Sequence, residues 1–131
     1  MSTSARAWPG GITAITLFVD DLAAAKTFYA RAFDLEVHYE DEHSGVFLFG
    51  STMINLLIDT EAPELITPAV VASPSSGSRV MFTLSVDDVD ATATALTERG
   101  VTLLNGPMDR PWGIRTASFR DPAGHVWEIA S

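Results

Sequence analysis

Residue types that bind transition metals or act as nucleophiles are scarce in this sequence. The 131 residues include no Cys and three His, at His38, His43 and His125. Without Cys there can be no disulfide, thiol nucleophile or cysteine-bound metal. The spacing of His38 and His43, which lie among acidic residues, matches no recognised metal motif. We therefore expect a solvated strand edge there, with a surface metal site as the less favoured alternative, and we expect His125 to set the geometry of a turn.

The segment 110–115, Arg-Pro-Trp-Gly-Ile-Arg, has the composition of a binding site for an organic molecule. Small-molecule sites are mostly apolar and aromatic, with a few polar groups that orient the ligand. Trp112 offers a flat face for stacking, and Arg115 offers a planar cation with several donors. The alternative is structural: Trp112 closes a seam between subunits, and Arg115 pairs with an acidic side chain.

The charge balance excludes one class of partner. The chain carries 8 Lys and Arg against 17 Asp and Glu, a formal net charge of −9, whereas binding to nucleic acid needs an excess of cations. No stretch has the length and apolar character of a membrane span or a signal peptide, so we expect a cytoplasmic protein with no membrane partner. Hydrophobic residues nevertheless make up 47% of the chain, which is compatible with an apolar surface that faces a ligand or a second subunit.

An internal repeat organises the elements that must position these residues. Val-Asp-Asp-Leu at 19–22 returns as Val-Asp-Asp-Val at 86–89. Alternating apolar residues precede each copy and predict a strand, and an Ala-rich stretch with helical spacing follows each copy. Asp21 and Asp88 are the expected N-caps of these helices. Three further strands are predicted in each half, at 35–40, 46–49 and 52–58 and at 101–104, 114–120 and 126–129.

Each half is thus a βαβββ module within a single domain that spans residues 1–131. The modules are expected at about residues 12–58 and 79–130. The Pro- and Ser-rich segment 59–78 is predicted to be a structureless linker, with a flexible joint favoured over a lid. The first ten residues are expected to form a loose tail, in which Trp8 is either packed or exposed. Because each module buries only one sheet face under its helix, both modules together form the sensible folding unit.

Three features of the sequence resemble the vicinal-oxygen-chelate superfamily, which contains glyoxalases, bleomycin resistance proteins and extradiol dioxygenases. These are the duplicated Val-Asp-Asp openings, the Phe28-Tyr29 pair in the first helix and the closing run Asp-Pro-Ala-Gly-His-Val-Trp-Glu at 121–128. The resemblance implies an α+β fold in which two tandem βαβββ modules form a curved half-barrel sheet around a cleft. It also implies a homodimer.

The resemblance places the metal-ligand positions of the superfamily at Ala14, Asn55, Met81 and Glu128. Of these four, only Glu128 is a strong ligand for a hard divalent metal, because Ala has no donor, Met offers a soft thioether and Asn offers a neutral carbonyl. We therefore expect no metal site and no cofactor. If the protein is an enzyme, Glu128 is the candidate catalytic residue, acting as a general base.

The expected ligand is a small organic molecule. The 110–115 run is similar to that of drug-binding members such as the bleomycin and mitomycin resistance proteins. Alternation along the strands groups Phe47 with Phe49 on one face. The expected ligand-binding residues are Trp112, Arg115, Phe47, Phe49, Asn55, Met81 and Glu128.

Three functions remain open at this point. The leading hypothesis is a metal-independent protein that binds a small molecule, such as an antibiotic or another natural product. The alternative is a lyase, isomerase or dioxygenase of the same superfamily, with an atypical metal site or with Glu128 as general base. The third is an interaction module whose cleft is filled by its own side chains.

Overall fold

The computed structural model describes residues 10–131, so the expected tail and Trp8 lie outside the described part of the chain. The first module consists of β1 (Ala14–Val19), α1 (Leu22–Ala32), β2 (Tyr39–Glu40), β3 (Ser44–Phe49) and β4 (Thr52–Ile58). The second consists of β5 (Met81–Ser85), α3 (Val89–Glu98), β6 (Leu103–Asp109), β7 (Arg115–Arg120) and β8 (Val126–Ala130), with a short α2 (Pro63–Ile66) between the modules.

Each module forms its own four-stranded mixed sheet. The strand orders are β1-β4-β3-β2 and β5-β8-β7-β6, and neither sheet closes into a barrel. In both sheets the first and last strands of the module pair in parallel, and the other neighbours are antiparallel. The predicted α+β class with two tandem βαβββ modules is therefore confirmed.

Both long helices begin at the predicted caps. Asp21 Oδ1 accepts a hydrogen bond of 3.0 Å from the amide of Ala24, and Asp88 Oδ1 accepts one of 3.0 Å from the amide of Ala91. Each carboxylate satisfies an orphan amide and complements the positive end of the helix dipole. The repeated Val-Asp-Asp sequence thus encodes the transition from strand to helix in each module.

Three expectations about the local structure are wrong. The linker contains 3₁₀ turns at Asp59–Glu61 and Pro74–Ser76 in addition to α2. Pro63 and Pro74 occupy first-turn positions of α2 and of the second turn, where their fixed φ suits a helix. The strand expected at 35–40 pairs only at its last two residues. The strand expected at 101–104 instead covers Leu103–Asp109, because the amide of Val101 bonds back to Leu96 of α3.

The two modules share one hydrophobic core. Tyr29 of α1 packs edge-on against Phe47 of the first sheet and against Trp127 of the second, with ring centroids 6.0 Å apart in each case. Phe49 stacks on Trp127 across the two modules at 5.2 Å. We call the side of each sheet that contacts this core the inner face and the opposite side the open face. Both open faces consequently point away from the core.

No helix among residues 10–131 combines the length and the apolar character that crossing a bilayer requires.

Candidate functional site

The register of the first sheet assigns its side chains to the two faces. Phe47 pairs with Ile54 on the inner face, and both are buried in the core. The next residue of β4, Asn55, therefore lies on the open face, where it pairs with Thr16 and Val46. Asn55 Nδ2 donates a hydrogen bond of 3.3 Å to Thr16 Oγ1. The polar centre of this open face is thus a threonine–asparagine pair.

The second sheet repeats this arrangement with a charged residue. Trp127 pairs with Phe82 on the inner face, whereas Glu128 pairs with Thr83 and Ser118 on the open face. Thr83 Oγ1 donates a hydrogen bond of 2.9 Å to Glu128 Oε1. This is the only side-chain hydrogen bond that the carboxylate of Glu128 makes among residues 10–131, so its second oxygen is available to a ligand.

The four positions implied for metal ligands divide between the two sheets. Ala14 and Asn55 belong to the first sheet, and Met81 and Glu128 belong to the second. Within residues 10–131, no three His, Asp or Glu side chains come close enough together to hold a metal ion. Hard divalent ions prefer several carboxylate or imidazole ligands. A set of one carboxylate, one amide, one thioether and one methyl group does not fit such an ion.

The structure corrects the expected role of Phe47. Its side chain has no exposed surface and packs against Tyr29 in the core, so it cannot line a cleft on the open face. Phe49 lies on the same inner face but is only partly buried. The sequence grouped these two residues correctly on one face, but it did not show that this face is the one opposite Asn55.

Phe49 and Met81 do meet at a cavity. Between the edges of β1 and β5 lies a space of about 330 Å³, lined by Ile15, Phe49, Thr52, Ile54, Met81, Phe82, Thr83, Leu84 and Trp127. The lining is apolar and aromatic, and Met81 is 51% exposed at its rim. Thr83 connects this cavity to the carboxylate of Glu128. The cavity and the open face of the second sheet are therefore adjoining parts of one region.

Arg115 lies on the inner face of the second sheet, opposite the face that carries Glu128. Its Nε and Nη2 donate to the two carboxylate oxygens of Asp90 on α3 at 2.8 and 3.0 Å, and its Nη1 donates to Asp109 at 3.1 Å. The hydrogen bonds from Arg115 lower the pKa of Asp90, and those to Asp90 and then Asp109 raise the pKa of the guanidinium. Arg115 is thus paired with acidic side chains, as the structural alternative had it. Trp112 is 68% exposed at the tip of the β6–β7 hairpin.

Arg110 is the residue of this hairpin that the sequence did not single out. Its Nε donates to Thr116 Oγ1 at 2.8 Å, and its Nη2 donates to Asn105 Oδ1 at 2.9 Å. Because Asn105 pairs with Ser118, and Ser118 pairs with Glu128, Arg110 bonds to side chains on the same open face as Glu128. The only signal in the sequence was the presence of two arginines flanking one turn, whose faces depend on the turn geometry.

A buried polar network joins the modules behind this site. Tyr29 Oη donates to Asp121 Oδ2 at 2.6 Å and accepts from Trp127 Nε1 at 3.0 Å. Asp121 also bonds to the ring Nδ1 of His125 at 2.8 Å and accepts from the amides of Ala123 and His125. This places His125 in the turn before β8 in a structural role. His38 and His43 are exposed near β2 and β3.

The network shifts two pKa values. Burial and then the negative charge of Asp121 raise the pKa of Tyr29 far above its ordinary value. Burial alone would raise the pKa of Asp121, but the hydrogen bonds from His125 and Tyr29 outweigh it and hold that pKa below the usual carboxyl range. Asp121 is therefore a buried carboxylate that is stabilised in its ionised form.

The two modules have the same strand order, and each has a threonine-centred polar pair at the same place on its open face, Thr16 with Asn55 and Thr83 with Glu128. The fold is therefore that of a protein built from two copies of one module. A family model for the Glyoxalase/Bleomycin resistance protein/Dioxygenase superfamily matches residues 11–129. The chain therefore belongs to this superfamily, which confirms the resemblance seen in the sequence.

The chain is also similar to individual proteins. The chain is 32% identical over 119 residues to the uncharacterised protein YraH of Bacillus subtilis, covering 88% of this chain and 93% of that protein. It is 30% identical over 118 residues to an uncharacterised protein of Mycobacterium bovis, covering 86% and 78%. Among solved structures, it is similar to a lactoylglutathione lyase from Agrobacterium tumefaciens (TM-score 0.75, 26% identity, 93% of each chain). It is also similar to a glyoxalase/bleomycin resistance protein/dioxygenase from Nocardioides (TM-score 0.82, 26% identity, 98% and 85%).

Proposed function

We propose that this protein binds a small organic molecule, such as an antibiotic or another natural product, without a divalent metal. The observation that carries the proposal is the open face of the second sheet. There Glu128 and Thr83 form a polar centre. Met81, two residues from Thr83 on β5, is 51% exposed, and Met108, on β6 at the opposite edge of the sheet, is 38% exposed. Small-molecule sites usually consist of a few polar groups within an apolar surface.

We also propose that a second copy of the chain covers the open faces in a homodimer. Side chains of Leu48 on the first open face and of Met81 and Met108 on the second are 38–51% exposed. Large apolar side chains that are exposed on a sheet face favour burial against a ligand or a partner. In such a dimer, Asn55 of one chain and Glu128 of the other would line a shared cleft, which deepens the site beyond the shallow face of one chain.

Ligand binding is testable by calorimetry and thermal shift against a library of aromatic natural products. The experiment compares protein treated with chelator and protein supplied with Mn²⁺, Ni²⁺ or Zn²⁺. We expect binding that is independent of metal and that weakens at least tenfold in Glu128→Gln. The matched control is Glu98→Gln at the end of α3, away from the open face. Binding that requires a metal would contradict the proposal.

A second candidate function is that of a lyase, isomerase or dioxygenase. The similarity to a lactoylglutathione lyase favours it, and Glu128 has an oxygen free to accept a proton from a substrate. In this case Glu128 would act as the general base. Turnover of a hemithioacetal substrate that is lost in Glu128→Gln and retained in Glu98→Gln would establish this function in place of simple binding.

A further inference from the structure

Arg110 is half-buried on the open face and has donors to spare. A guanidinium has five N–H groups in one plane. Two of them are used, by Thr116 Oγ1 at 2.8 Å and Asn105 Oδ1 at 2.9 Å. These bonds fix the plane of the guanidinium while leaving three donors unused. No carboxylate among residues 10–131 comes within 4.0 Å of Arg110.

Arg115, at the other end of the same hairpin, shows what a satisfied arginine looks like in this protein. Its guanidinium bonds to both oxygens of Asp90 and to one oxygen of Asp109. The chain has more than twice as many acidic as basic residues, so an arginine without an acidic partner is not explained by a shortage of carboxylates. Arg110 is only half-buried, so its unused donors are accessible to an anion from solution.

The positions of Arg110 and Glu128 limit the size of the molecule that could contact both. Thr116, which Arg110 holds, lies two residues from Ser118 on β7, and Ser118 pairs with Glu128 on β8. Two residues along a strand and one strand across a sheet correspond to about 8 Å between the Cα atoms of Thr116 and Glu128. This is on the order of the distance between opposite substituents of one aromatic ring.

We propose that Arg110 binds the carboxylate of the ligand, so that the site takes a small organic carboxylate with a hydrogen-bond donor at its other end. The guanidinium offers a planar fork that matches the two oxygens of a carboxylate. The free oxygen of Glu128 accepts from the donor of the ligand, and the exposed side chain of Met108, which pairs with Thr116, contacts its apolar part. The inference rests on the proposed binding function and specifies the class of ligand.

The test uses 4-hydroxybenzoate, which has both groups, together with 4-hydroxybenzamide, which lacks the negative charge, and benzoate, which lacks the donor. Their affinities are measured by calorimetry, and the Nε–Hε signals of ¹⁵N-labelled arginines are followed by NMR. We expect the hydroxybenzoate to bind at least tenfold more tightly than the amide and to shift the signal of Arg110. We expect Arg110→Gln to lose that tenfold preference and Arg115→Gln, the matched control on the inner face, to retain it.

Two outcomes would overturn the inference in distinguishable ways. Equal affinity of the carboxylate and the amide, unchanged in Arg110→Gln, would refute the role of Arg110 while leaving small-molecule binding in place. Failure of all three probes to bind, together with an empty natural-product screen, would refute both proposals. If Arg110→Gln does not fold, the comparison of carboxylate with amide in the unaltered protein and in Arg110→Lys decides, because Lys keeps the charge but not the planar fork.

Discussion

Replacing Tyr29 by Phe removes a single oxygen from the centre of the network that joins the modules. The aromatic ring and its contacts with Phe47 and Trp127 remain, so no cavity larger than that oxygen is created. The hydrogen bond to the ionised carboxylate of Asp121 is lost. Trp127 Nε1 loses the only acceptor that it has among the described residues. The substitution therefore isolates the polar contribution of one hydroxyl.

The expected loss of stability follows from these two bonds. A hydrogen bond to a charged group contributes about 1.5–3 kcal/mol, and a buried donor left without a partner costs about 1–3 kcal/mol. The sum is reduced because Asp121 keeps its bonds from His125 and Ala123 and is not left without partners. We therefore expect a loss of about 3 kcal/mol in the free energy of unfolding. With an unfolding entropy of about 2.1 cal/mol/K per residue, this lowers the Tm of the 131-residue chain by about 11 °C.

The measurement is urea unfolding at pH 7 followed by circular dichroism, with calorimetry for the Tm. Tyr39→Phe is the matched control, because Tyr39 also donates to a carboxylate, that of Asp41, but is 55% exposed. We expect that variant to stay within about 0.5 kcal/mol of the unaltered protein. If Tyr29→Phe also stays within that range, the network does not hold the modules together and the reasoning is refuted.

Three further predictions concern pH, a close approach and assembly. The pKa of Asp121 is lowered on folding, so its contribution to stability is present above the ordinary value of about 3.9 and is lost as the pH falls through the lowered folded value. In urea unfolding between pH 7 and pH 3, the deficit of Asp121→Asn should therefore shrink at the acid end, and a constant deficit would argue against an ionised Asp121. Gly106 has φ +84°, and a Cβ there would lie 2.4 Å from the carbonyl oxygen of Thr116, whereas Gly77 has φ +92° and open space around it. Gly106→Ala should thus cost about 1–3 kcal/mol more than Gly77→Ala in the same assay, and equal costs would show that the hairpin yields to the clash. Light scattering at micromolar concentration should give twice the 14.1 kDa chain mass, and a monomer would contradict the proposed dimer.

The repeated part of the fold was accessible from the sequence because its signals are local. The Val-Asp-Asp openings encode a strand end and a helix cap within a few residues, and the structure confirms both caps. The strand at Thr52–Ile58 also has the predicted limits. The linker was less accessible, since a Pro- and Ser-rich composition does not distinguish an extended chain from short helical turns that begin at proline.

The candidate site was only partly accessible because its geometry depends on long-range packing. Alternation correctly grouped Phe47 with Phe49, but only the shared core determines that their face is the buried one, opposite Asn55. For the arginines, the turn between β6 and β7 decides which side each one reaches. Arg115 was chosen from the sequence and lies on the inner side, while Arg110 bonds to the open face. No local pattern records that difference.

The bond between Tyr29 and Asp121 spans 92 positions of the chain, which has a consequence for how the molecule folds. Neither module has a complete core by itself, because Tyr29 of α1 in the first module packs against Trp127 of the second and accepts its hydrogen bond. Folding must close this long loop before the contacts between the two modules form, and loop closure over such separations slows folding. We therefore expect each half, made alone, to remain unfolded, and the two halves to assemble when mixed. An ancestor with a single repeat would have needed a second copy of itself to exist as a folded protein.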